Sequence, residues 1–216
     1  MGGSAQVRAI SSGLWLILAI TVVFLGAVVF GRLVGGIRID HLTRDPASLT
    51  HSSVYLGFLS TVGLLFWAAA AAVCILGASL VSGSRLQSRL VRFLRASAFL
   101  TLVLLLDDAF LVHERVLPRY AGVPQRLVYL VYVLLLVVYL VRFRAVIFET
   151  DYFLLGLALI LFGFSIVSDL IWDSPLEDGT KFAGIVTWTV YFGRVVTSTC
   201  RLPPDSGAAR GPVPAT

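Results

Sequence analysis

Apolar residues in this chain come in runs about as long as a bilayer is thick. Residues 14–34 read LWLILAITVVFLGAVVFGRLV, and residues 127–141 read LVYLVYVLLLVVYLV. A helix needs roughly 20 such residues to cross the hydrocarbon core. In lipid every backbone N–H and C=O must be paired within the protein, which helices do internally. Six stretches fit: Leu14–Val34, Val54–Val81, Leu94–Leu117, Leu127–Val141, Tyr152–Trp172 and Pro175–Ser198. The expected fold is therefore all-α, a polytopic transmembrane helix bundle of about six spans forming one domain over residues 1–200. Charged residues are 13% of the chain, against about 25% in soluble domains, and no soluble domain fits between the runs.

The ends of these spans carry further information. The fourth core is short, and Arg142 and Arg144 follow it; a longer helix would let them snorkel to the interface. Arg8 before the first run has the look of a secretory signal, but the run is long and closes on GRLVGG without a small-residue cleavage site. The tail RLPPDSGAARGPVPAT, residues 201–216, is expected to be disordered. Cys74 and Cys200 form no CxxC motif.

With a cytoplasmic N-terminus, the inner side receives ten Lys and Arg residues, among them Arg85, Arg89, Arg92 and Arg95, and the outer side seven. The positive-inside rule favours that orientation, with both termini cytoplasmic in a bacterial inner membrane. The net charge of +5 then reads as topology. It does not describe a nucleic-acid surface, because the arginines sit at helix ends. Nine of the twelve acids and all three histidines, His41, His51 and His113, fall in the outer half.

LLLDDAFLVHE, residues 104–114, concentrates the chemistry. At about 1.5 Å per residue, Asp107 and Asp108 lie just past mid-membrane. Ionised carboxylates there are expensive unless paired or solvated, so they are candidates for function. At about 100° per residue, Asp107 and Glu114 share one stripe. Asp108 shares another with Ser97, Thr101 and Arg115, and His113 points about 120° away from Asp107. Completing groups are expected from the fifth and sixth spans: Ser165, Ser168, Asp169 and Asp173 on one; Glu177, Lys181, Trp188 and Tyr191 on the other. Ser174, Pro175 and Glu177 also match a capping box. Lys181, the only lysine, is placed to neutralise Asp107 or Asp108.

These residues predict a polar pocket open to the outer leaflet. In the leading reading it is an acid/base or metal-assisted enzyme acting on a lipid or other amphiphile. Asp107, Asp108, Glu114, Lys181 and Asp169 would be catalytic. Ser168, Asp173, Trp188 and Tyr191 would line the pocket, and His113, Asp107 and Asp108 would hold a divalent metal ion. Ser60 in the second span with Asp and His in the third resembles membrane hydrolases of the alkaline-ceramidase type. The resemblance implies zinc held among transmembrane helices, but Trp188 and Tyr191 stand where that family's late paired histidines are expected, and the span count is one fewer. The D-D-x-x-x-x-H-E and E-D-x-x-K stretches also have the look of a family signature. Two readings compete. One is a small proton- or cation-coupled transporter, disfavoured by the dry inner half of the third span. The other is an assembly or sensor subunit with a structural network pairing Asp108 with Arg115, Asp107 with Lys181, and Asp169 with an arginine.

Overall fold

The computed structural model describes residues 3–44, 46–53, 55–81, 85–171 and 175–200. Among them every regular element is helical. The chain divides into two compact units, Met1–Phe58 and Leu59–Thr216.

The first unit holds α1 (Gly3–Leu33) and two single-turn helices, α2 (Ile39–Thr43) and α3 (Pro46–Thr50). The chain leaves α1 through Gly36, at φ +63°, where a side chain would be strained. Gly31 lets Leu42 pack close; a Cβ there would stand 3.1 Å from the leucine. His41 and His51 belong to this unit.

The second unit holds α4 (Phe58–Leu80, from its second residue), α5 (Arg85–Phe110), a π-helix (Val112–Ala121), α6 (Gln125–Phe148), α7 (Tyr152–Ile171) and α8 (Pro175–Cys200). Its core joins Trp67, Ala70 and Cys74 of α4 with Phe93, Leu94 and Ala98 of α5. Tyr139, Leu155 and Ala158 close it from α6 and α7, and Trp188, Tyr191 and Phe192 from α8. Small residues set the closest approaches. At Gly184 of α8, a Cβ would come within 2.8 Å of the Phe162 ring on α7. Outward faces are apolar as well: Leu65, Val138, Phe153 and Ile160 are all exposed, and only 17% of the most apolar stretch of α6 is buried. That pattern suits contact with lipid rather than water.

Three of the described helices are long and apolar enough to cross a membrane: Phe58–Leu80, Gln125–Phe148 and Tyr152–Asp169. A fourth is reached if Ser88–Phe110 and Val112–Ala121, bent by 72°, count as one broken span. The expected six therefore become three or four by length and composition. The apolar part of α1, Ile17–Leu33, is shorter, and α8 carries Glu177, Asp178, Lys181 and Arg194. The fourth expected span runs on through Arg142 and Arg144 to Phe148. Trp172, Asp173, Ser174 and the tail 201–216 lie outside the described residues, so the expected capping box and disordered tail do too.

The third expected span is not one straight helix. α5 stops at Phe110, and Leu111 takes the left-handed conformation, φ +51° and ψ +44°. Such a residue ends a helix. The chain then turns into a π-helix containing Pro118, closed by Gly122 at φ +64°.

Candidate functional site

The break at Leu111 builds the site. It folds the chain back so that the His113 N–H donates to Asp107 Oδ1 at 2.9 Å, while His113 Nδ1 lies 2.6 Å from Asp107 Oδ2. Asp107 is 7% exposed. Its carboxylate thus satisfies a backbone donor at the start of the new helix, as a capping residue does, and fixes the imidazole. Tyr132 of α6 lines the same cavity as Asp107. A neutral ring that donates from Nδ1 to this carboxylate keeps its lone pair on Nε2.

Two further polar groups stand beside this pair. Lys181 on α8 donates to Asp108 Oδ1 at 2.5 Å, joining α8 to α5. On α7, Asp169 Oδ2 accepts from Tyr129 Oη at 2.7 Å and from Gln125 Nε2 at 2.9 Å, both on α6. The Tyr129 ring packs against His113, centroids 5.1 Å apart. These contacts gather at one end of the second unit, where α5 and α7 finish and α6 and α8 begin.

A cavity of about 160 Å³ opens between these groups. Its polar end is lined by Asp107, Asp108, His113, Tyr129, Tyr132, Asp169, Glu177 and Lys181, and its other end by apolar residues that include Leu136, Leu159, Phe162, Trp67 and Trp188. The register follows from the helices. On α7, Asp169 and Phe162 are seven residues apart, which places the acid on the same face and roughly 10 Å along the axis. Below the cavity, buried polar groups pair among themselves. Trp188 Nε1 donates to Thr101 at 3.0 Å, Ser97 meets Tyr139 at 2.6 Å, and Tyr191 meets Thr150 at 2.8 Å. Trp67 differs: it is 3% exposed, and its indole N–H has no partner.

Several expectations change. His113, predicted to point away from Asp107, is its main partner, because the helix that separated them ends between them. Lys181 pairs with Asp108, one of the two acids expected for it, and not with Asp107 as in the structural network. Arg115 lies near Glu114, 3.6 Å away, and not near Asp108. Asp169 is held by Tyr129 and Gln125, neutral donors, instead of an arginine. Glu114 is exposed on the π-helix and leaves the cavity, since the bend removes the stripe it would have shared with Asp107. Tyr191 reaches Thr150 at the opposite end of α6, too deep to line the cavity. Ser168 is buried but is not among the lining residues. Trp188, Lys181 and Asp169 do line it, as expected. Sequence reasoning missed Trp67, Tyr129 and Tyr132, which looked like ordinary apolar-helix aromatics. Spacing offered one signal: Tyr129 and Tyr132 are three apart on α6 and so share a face.

The metal expectation for His113, Asp107 and Asp108 is not supported. Among the described residues no group of three or more His, Cys, Asp or Glu side chains is arranged to hold an ion. Asp107 and Asp108 turn to different partners, and the His113 Nδ1 is taken by a carboxylate. Ser60, which carried the ceramidase-type resemblance, lines a separate small cleft with Asp108 and Lys181. It does not share the larger cavity with the Asp107–His113 pair.

Residues 15–195 match the family described as "Domain of unknown function (DUF8692)". The chain belongs to DUF8692. The match runs from within α1 into α8, so it takes in both the D-D-x-x-x-x-H-E and the E-D-x-x-K stretches. No curated protein and no solved structure matches the chain. The function of this DUF8692 domain must therefore be argued from its own residues.

Proposed function

We propose that the chain is a polytopic inner-membrane protein of about six spans, counting α1 and α8. In this reading its cavity opens towards the outer leaflet, binds a lipid or other small amphiphile and catalyses a covalent change in it by acid/base chemistry. The observation that carries the reading is the Asp107–His113 pair on the cavity wall. A buried carboxylate fixes the ring through Nδ1 and leaves Nε2 as the working base. Carboxylate-oriented imidazoles serve as general acid/base groups for that reason. The amphipathic lining supports a ligand with a polar head and an apolar body. The transporter reading draws less support, because Thr101–Trp188 and Ser97–Tyr139 are closed pairs that offer a proton no continuous route.

A second reading rests on a specific observation: Asp107, Asp108 and Asp169 all have partners that tie helices together. They would then be structural glue in a non-catalytic subunit. Mass spectrometry of lipid extracts separates the two. Wild-type and His113→Ala chains would be overproduced in a bacterial host and the membranes compared. Acid/base catalysis of a covalent change in a lipid predicts species that change with the wild type and not with His113→Ala. Identical lipid profiles, with both proteins folded, would overturn it and favour the structural reading.

A further inference from the structure

One group on the cavity wall lacks the partner its chemistry calls for, and it is Asp169. Both of its donors, Tyr129 and Gln125, are neutral and both use Oδ2, which leaves Oδ1 for a further donor. Among the described residues no Lys, Arg or His forms an ion pair with it, whereas Asp108 has Lys181 and Asp107 has the His113 ring. Asp169 is half-buried as the last residue of the apolar stretch Tyr152–Asp169, and a carboxylate at such a site favours a counter-cation.

Trp67 stacks on Phe162 at 5.6 Å with the rings 12° from parallel. Asp169 lies two turns further along α7 from Phe162, roughly 10 Å away. Apolar side chains, among them Leu136 and Leu159, line the cavity with them, and Tyr129 and Tyr132 line it as well. Engineered apolar cavities of about 150 Å³ take up one benzene, so this one suits a slender body.

We infer that the cavity takes a cationic amphiphile, with an ammonium group against Asp169 and an apolar body along Leu136, Leu159 and Phe162. The inference rests on the ligand-binding part of the reading above and needs no proton transfer. Lys181 does not repel this head, because its charge is matched by Asp108.

Binding to protein released from phosphatidylcholine nanodiscs would be measured by native mass spectrometry. The probes are n-decylamine, n-decanol and decanoate. The amine should bind at least about tenfold tighter than the alcohol or the acid, as a charge-assisted hydrogen bond provides. Asp169→Asn should remove the preference for the amine while leaving decanol binding unchanged, which reports that the variant is folded. Equal binding of amine, alcohol and acid, or no binding at all, overturns the inference; the wild-type series decides this even if Asp169→Asn does not fold. A preference that survives Asp169→Asn overturns it too. Amine binding by the wild type with unchanged lipid profiles would leave this inference standing and remove only the acid/base step.

Discussion

Removing Lys181 should do more harm than removing Asp108, and removing both should do less than Lys181 alone. The asymmetry follows from burial. The Asp108 side chain is 9% exposed and that of Lys181 33%. Lys181→Met leaves a buried carboxylate with its cation gone, and breaking a buried pair in this way costs about 3–5 kcal/mol. Because Lys181 is one-third exposed, its pair is partly screened and the lower figure applies, about 3 kcal/mol. Asp108→Asn leaves a flexible ammonium that can swing towards water, which should cost about 1–2 kcal/mol. The double variant has neither charge and should lie within about 1 kcal/mol of Asp108→Asn, giving a coupling of about 2–3 kcal/mol. For a chain of this size about 1 kcal/mol moves Tm by roughly 2–4 °C. Thermal unfolding in detergent should therefore place Lys181→Met about 6–12 °C below wild type, with about half of that loss recovered in the double variant. Additive single effects, or equal losses for the two single variants, would refute the pairing of α5 with α8 through these side chains.

Other contacts give sharper local tests. Thr101→Val removes the acceptor of the buried Trp188 N–H and should cost about 1–3 kcal/mol in thermal unfolding, while Thr101→Ser should be close to neutral. Leu111 sits at φ +51°, so Leu111→Gly should be tolerated or stabilising. Leu111→Ile should lose about 1–2 kcal/mol, because a β-branched residue is strained there; equal stabilities would argue against the left-handed break. Gly184→Ala should push the Phe162 ring towards the cavity, weakening decanol and decylamine binding together, with overpacking costing about 1–3 kcal/mol. A loss of amine binding alone would show that the glycine acts otherwise.

Helix existence was legible in the sequence because the apolar runs leave the backbone one way to satisfy itself. Asp107, Asp108, Lys181 and Asp169 were legible as site residues for a similar reason: ionisable groups in such runs need partners. Which partner each takes was not legible. The geometry of a continuous helix put His113 on the wrong face, because nothing in LVHE announces that Leu111 adopts a conformation leucine rarely takes. The six expected spans rested on run length, and the charges in α8 lie inside one of those runs.

Composition and run length alone determined a helical chain suited to lipid, with its acids gathered towards one end of the helices. Tertiary structure decided the chemistry. Asp107 accepts both the backbone and the ring of His113 only because α5 ends at Phe110 and the chain turns by 72°. Asp108 finds Lys181, and Asp169 finds Tyr129, across 73 and 40 residues of chain. Helical periodicity fixes angles within one helix. Pairings between helices depend on how side chains of several elements share one buried volume, where each charge takes the partner that packing brings within reach.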